Sequence, residues 1–174
     1  MDYEISNIVA TANLGVEVDL NIAMEFLRTV GKVAYDRRKF PGLVVKIGSG
    51  MAVLLFRTGK MVVVGGKTVE DVKKTVKEVL RALYPALSGL PPTVEVQIQN
   101  IVATANLGRE VNLERLSQEL PNVNYDPNQF PGLIYAPGFD KPTVLIFETG
   151  KVVIVGAKDE QEIASIVEEI KKSV

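Results

Sequence analysis

Lys67 and Thr68 come nearest in this sequence to a reactive constellation. The run Val64-Gly65-Gly66-Lys67-Thr68 lies between an extended segment and a helical one, as the end of a phosphate-cradling loop would. Such a loop needs a further Gly five residues before the Gly-Lys pair, and Met61 stands there. The chain's second version of the run, Gly156-Ala157-Lys158-Asp159, lacks the Ser/Thr as well. The 174 residues contain no Cys and no His, which removes thiol nucleophiles, imidazole bases, Cys/His zinc sites and disulfides. No carboxylate pair recurs at a shared spacing or neighbours a plausible nucleophile. The expectation is therefore a protein that is not an enzyme and carries no cofactor or metal.

The residues that do recur are of another kind. Asn-Ile-Val-Ala-Thr-Ala-Asn-Leu-Gly occurs at Asn7–Gly15 and again, identically, at Asn100–Gly108. Phe-Pro-Gly-Leu follows at Phe40–Leu43 and Phe130–Leu133, Phe-x-Thr-Gly-Lys at Phe56–Lys60 and Phe147–Lys151, and Val-Gly-x-Lys at Val64–Lys67 and Val155–Lys158. An ordered set in duplicate describes two homologous repeats, 1–90 and 91–174, joined near Ser88–Pro92.

The elements that must carry these residues follow from periodicity. Ile5–Ala12 reads as a strand. Asp19 caps a helix whose Ala23, Phe26, Leu27 and Val30 fall on one face before Gly31. Leu43–Ile47, Met51–Phe56 and Met61–Val64 read as an antiparallel meander, and Thr68 caps a longer helix carrying Val69, Val72, Val76, Val79, Leu80 and Leu83. The second repeat places helices near Leu113–Leu120 and Glu160–Lys172. These strands do not alternate apolar with polar: Met51, Val53 and Leu55 would share one face, and Ala52, Leu54 and Phe56 the other. With two helices per repeat, either one apolar sheet face is left bare as a binding surface, or the two repeats stack face to face as a sandwich and bury it.

Over nearly its whole length the chain resembles the TATA-box-binding protein family, on Asn-Ile-Val, Phe-Pro-Gly-Leu-Ile-Tyr, Leu-Ile-Phe-x-x-Gly-Lys and Val-x-Gly-Ala-Lys, with their counterparts in the other repeat. The resemblance implies an α+β fold, a pseudo-two-fold saddle in which a ten-stranded antiparallel sheet carries four helices on its convex face. It implies a general transcription initiation factor of archaeal type that binds promoter TATA elements in the minor groove, kinks the DNA by Phe intercalation, and recruits transcription factor B and RNA polymerase. A diverged two-repeat saddle serving as a protein-interaction module, without TATA specificity, is the alternative.

Residue by residue, the resemblance assigns intercalation to Phe40 with Phe56 and Phe130 with Phe147. Minor-groove base contacts fall to Asn7, Val9, Leu54, Val62 and Val64, and to Asn100, Val102, Leu145, Val153 and Val155. Small apolar side chains there accept A·T pairs and clash with the amino group that G·C adds to the groove floor. Candidates for phosphate contact are Lys39, Lys46, Arg57, Thr58 and Lys60 in the first repeat, and Thr149 and Lys151 in the second. Tyr125, Asp126, Asn128 and Gln129 match the stirrup that meets transcription factor B, with Asn128 and Gln129 in place of the usual Glu and Leu. The family commonly has Thr where this chain has Val64 and Val155, so a groove-facing hydroxyl is lost in each repeat. Lys73, Lys74, Lys77 and Arg81 form a basic band on the long helix, a solvated face unless a partner covers it.

The formal net charge of −1 speaks at first sight against a nucleic-acid partner, but it conceals a polarity. Residues 1–90 hold 13 Lys+Arg and 9 Asp+Glu, and residues 91–174 hold 7 and 12. The expected partners are A·T-rich double-stranded promoter DNA, transcription factor B and the polymerase pre-initiation complex, with no membrane and with a homodimer as a way to cover the free sheet. The start at Met1-Asp2-Tyr3-Glu4 lacks a signal peptide's basic region, and no run reaches the roughly 18 apolar residues of a membrane span. The expected location is the cytoplasm, at the nucleoid, for an archaeal protein; a eukaryotic one would be nuclear. The absence of a low-complexity leader before the first strand fits the archaeal form.

Overall fold

A computed structural model describes residues 3–48 and 50–174. Met1 and Asp2, where the reading of the N-terminus begins, lie outside them, as does Ser49. The first repeat runs β1 (Tyr3–Asn13), α1 (Leu20–Leu27), β2 (Lys32–Ala34), β3 (Leu43–Ile47), β4 (Met51–Leu55), β5 (Lys60–Val64) and α2 (Val69–Leu83). The second runs β6 (Val96–Asn106), α3 (Leu113–Glu119), β7 (Val123–Asn124), β8 (Leu133–Tyr135), β9 (Thr143–Ile146), β10 (Lys151–Ala157) and α4 (Glu160–Ser173). The ten strands hydrogen-bond in the order β2-β3-β4-β5-β1-β6-β10-β9-β8-β7, and every registered pair is antiparallel. The expected ten strands and four helices are thus found among the described residues. Two compact units result, one of Ile8–Ile98 and the other of Gln99–Val174 with the first strand up to Asn7.

Alternation decides which face of each strand is buried. In β1, Ile8, Ala10 and Ala12 are buried, while Asn7, Val9 and Thr11 stay half-exposed. In β4 and β5, Val53, Leu55, Met61 and Val63 are wholly buried, and Leu54, Val62 and Val64 are not. The second unit repeats this, burying Ile101, Ala103, Val144, Ile146, Val152 and Ile154 and leaving Val102, Thr104, Leu145 and Val153 half-exposed.

Helix stripes complete each core. Val72, Val76, Val79, Leu80 and Leu83 of α2 are buried, as are Ile163, Ile166, Val167 and Ile170 of α4. At about 1.5–3 kcal/mol for each large aliphatic side chain taken out of water, these stripes dominate what holds the helices in place. The helix starts are capped as read: Asp19 Oδ1 accepts from the Asn21 and Ile22 amides, and Thr68 Oγ1 from the Asp71 amide at 3.0 Å. Thr68 is therefore a cap, and its neighbour Gly65 is there because a Cβ would lie 1.9 Å from the Gly50 carbonyl oxygen.

Three local readings need correction. The first helix ends at Leu27 rather than Val30, because the Val30 amide turns back to the Leu27 carbonyl. Strand β4 ends at Leu55, since Phe56 opens a turn. The edge strands β2 and β7 escaped the periodicity reading because three and two residues are too short to show a period.

Candidate functional site

Each Phe pair is presented by two turns. Asp36 begins the first: its Oδ1 accepts from the Arg38 amide at 3.1 Å, and its carbonyl accepts from the Lys39 and Phe40 amides. Asp126 does the same with the amides of Asn128, Gln129 and Phe130. The second turn begins at the other Phe. The Gly59 amide donates to the Phe56 carbonyl and the Phe56 amide to the Lys60 carbonyl, and Phe147, Gly150 and Lys151 repeat the pattern. Gly is required there: Gly59 and Gly150 have φ of +92°, and a Cβ would lie 2.3 and 2.2 Å from the carbonyl oxygens of Val16 and Arg109.

The rings meet edge to face. Phe40 and Phe56 have centroids 5.7 Å apart at 63°, and Phe130 and Phe147 5.8 Å apart at 64°. Phe40 is 38% exposed, and the other three are half-buried. The glycine of Phe-Pro-Gly makes room for both rings. A Cβ on Gly42 would stand 2.7 Å from Phe40 Cε2 and 2.9 Å from Phe56 Cε1; on Gly132 the distances are 2.8 Å to Phe130 and 3.0 Å to Phe147. Within the motif, Gly admits the rings, and Leu43 and Leu133 anchor it in the core.

Between β1 and the Phe pair lies an apolar floor. Register aligns Thr11, Val62, Leu54, Val44 and Ala34 in one cross-strand row, and Val9, Val64, Ala52, Lys46 and Lys32 in the next. In the other unit, Thr104, Val153, Leu145, Ile134 and Asn124 form one row, and Val102, Val155 and Thr143 the other. The expected floor residues Val9, Leu54, Val62, Val64, Val102, Leu145, Val153 and Val155 are all on these rows and none is fully buried; Val155 is 37% exposed. Asn7 and Asn100 are half-exposed on the same faces of β1 and β6, and Asn100 Oδ1 is buried without a hydrogen-bond partner.

Sequence reasoning missed Thr11, Thr104, Val44, Ile134, Ala52 and Lys32. The first two could have been found, because they lie two residues beyond Val9 and Val102 on the same face. Of the polar candidates, Lys39, Lys46, Arg57, Thr58, Lys60, Thr149 and Lys151 are all exposed. The threonines also have a local task, since Thr58 and Thr149 hydroxyls accept from the Lys60 and Lys151 amides at 3.4 Å. Asp126, Asn128 and Gln129 are exposed, while Tyr125 is half-buried and lines an open cavity of ≈ 470 Å³ with Glu110, Glu114 and Glu148. Among the described residues, no group of three or more acidic side chains could hold a metal ion, and no helix is long and apolar enough to cross a membrane.

Comparison with known proteins matches this arrangement over nearly the whole chain. The family described as transcription factor TFIID, or TATA-binding protein, matches twice, at residues 2–86 and 95–174. The TATA-box-binding protein of Pyrobaculum aerophilum is 44% identical over 169 residues, covering 97% of this chain and 83% of its own. That of Methanothermobacter thermautotrophicus is 42% identical over 175 residues, covering 98% and 93%. The solved structure of Methanococcus jannaschii TBP superposes with a TM-score of 0.83 at 34% identity, covering 99% of this chain and 98% of that one. Duplicated motifs, strand order and relatives agree, and the chain belongs to the TATA-binding protein family.

Proposed function

We propose that this protein is a transcription initiation factor of archaeal type that grips A·T-rich promoter DNA through the minor groove and kinks it with its two Phe pairs. The observation that carries the reading is the duplicated set of small, half-exposed aliphatic side chains on one strand face, accompanied in each unit by an edge-to-face Phe pair presented by turns. Most soluble proteins hide such a surface, and a large apolar patch without a polar pattern calls for a partner. A minor groove of A·T pairs suits it, because its floor offers acceptors and no protruding amino group. Phe side chains at the rim of such a floor can wedge between base steps, a mechanism of which this family is itself the standing example.

The polar groups fit the same partner. Asn7 and Asn100 supply amide donors for groove acceptors. Lys39, Lys46, Arg57, Lys60 and Lys151, with Thr58 and Thr149, flank the floor where the sugar-phosphate strands would run. The turn at Tyr125–Gln129, beside the acidic cavity of Glu110, Glu114 and Glu148, is the surface offered to transcription factor B and through it to the polymerase. The charge polarity between the repeats would present different partners at the two ends.

The test is a titration of fluorescent A·T-rich and G·C-substituted duplexes at two salt concentrations. Tighter binding of the A·T-rich duplex, lost in the double variant Phe40→Ala with Phe147→Ala, is the expected result. Equal binding to both duplexes, or none, would sink the proposal.

A further inference from the structure

The outer end of the first-repeat floor carries a feature that the second repeat lacks. Lys32, the first residue of the edge strand β2, is directly opposite Lys46 on β3, and the register puts both on the row that runs through Ala52 and Val64 to Val9. Both are exposed, and neither has an ion-pair partner among the described residues. Like charges directly opposite across strands destabilise a sheet. The arrangement is nonetheless built tightly: a Cβ on Gly31 would stand 2.3 Å from the Lys46 carbonyl oxygen, so the glycine lets the chain lie close enough to seat Lys32 against Lys46.

The second repeat is built differently at the same place. Counting from Phe-Pro-Gly-Leu, Lys32 and Lys46 correspond to Asn122 and Ala136. Asn122 has φ of +59°, outside the strand region, and is tied to Ala136 by a backbone bond of 3.0 Å. Strand β7 begins only at Val123. Neither equivalent position carries a cation.

We propose that Lys32 and Lys46 form a two-ammonium site for the sugar-phosphate backbone of the bound duplex, present in the first repeat only. The inference rests on the DNA-binding reading above and adds to it a one-sided grip. Two uncompensated cations on a row whose other members are apolar match a ligand with an uncharged floor and anionic walls. A rival explanation is that Lys32 guards the edge strand against pairing with another chain, a known use of edge lysines. The two differ in what salt does.

Neutralising one phosphate contact flattens the dependence of log affinity on log salt by about 0.9. Lys32→Gln should therefore bind the A·T-rich duplex more weakly at low salt. It should also lose roughly 3-fold less affinity than the parent between ~50 and ~200 mM salt. Its melting temperature should stay level or rise, since a like-charge pair has been removed. Lys73→Gln on α2, off the sheet, should leave the slope unchanged. A parent protein that binds with a slope equal to that of Lys32→Gln overturns this proposal while leaving the DNA-binding reading standing. An unchanged slope together with new self-association would assign Lys32 to edge protection. A parent that does not bind the duplex overturns both.

Discussion

Replacing Gly42 by Ala tests the central geometry of the site with a single methyl group. The new Cβ would lie 2.7 Å from Phe40 Cε2, 2.9 Å from Phe56 Cε1 and 3.3 Å from Phe56 Cδ1. Carbon atoms pack best at about 3.5–4.0 Å, so each ring must withdraw by roughly an ångström. Overpacking of this sort costs about 1–3 kcal/mol, and Ala in place of Gly recovers ~0.4–1 kcal/mol by narrowing the unfolded ensemble. Phe40 is 38% exposed and can swing toward solvent, which favours the low end. The net expectation is a loss of about 0.5–2 kcal/mol and a melting temperature lower by roughly 2–6 °C. Function should suffer more than stability, because a swung ring no longer stands beside its partner. The assay is thermal unfolding, alongside energy transfer across an end-labelled A·T-rich duplex to report its bend. Gly50→Ala is the control: its Cβ meets nothing within 4 Å, and it should be neutral or slightly stabilising. If Gly42→Ala melts at or above the parent and bends DNA equally, the explanation of Phe-Pro-Gly as room for the rings is wrong.

Other consequences can be measured separately. Val64→Thr with Val155→Thr returns a hydroxyl to each half-floor, and should tighten binding to the A·T-rich duplex by about 0.5–1.5 kcal/mol per hydrogen bond gained, read by titration. Asp159→Ala removes the cap that accepts from the Glu162 amide at 2.8 Å, and should cost α4 about 1 kcal/mol in chemical denaturation. Tyr135 is pushed up to about 12 from its usual 10, first by burial and then by donation to the Glu169 carboxylate and that group's negative charge. Because the fold favours the neutral phenol, its stabilising share is intact below pH 10 and is lost as pH rises from there through about 12. Tyr135→Phe should flatten that alkaline limb in denaturation curves taken across the range.

The frame of ten strands and four helices was legible mainly through the family resemblance, and the candidate site residues mainly through their duplication. The duplicated Phe, Asn and Val positions were legible because a repeat marks a residue twice, and core packing alone gives no reason to repeat an aromatic pair in the same order. The bare face was only half legible: Met51–Phe56 is apolar on both faces, so it reads equally as a buried sandwich strand, and the family resemblance had to decide. Lys32 was hidden because β2 is too short for periodicity, and its significance comes from a cross-strand register that no local pattern encodes. The role of Gly42 was hidden for a related reason, since its reason for being glycine is two rings 2 and 14 positions away rather than its own backbone. Asp126 was assigned to a partner contact by the family resemblance; its carboxylate also holds the turn that presents Phe130, as Asp36 does for Phe40.

The claim that matters most is that this protein reads the floor of the minor groove through the shape of its aliphatic rows. Inosine paired with cytosine separates that from other modes of recognition, because it lacks the minor-groove amino group of guanine while keeping the major-groove pattern of G·C. Affinity should be measured for three duplexes of equal length, with the central A·T pairs kept, replaced by inosine·C, or replaced by G·C. The account predicts that the inosine duplex binds within a few-fold of the A·T one and that the G·C duplex binds far more weakly. An inosine duplex as weak as the G·C one would place recognition outside the minor groove and contradict it.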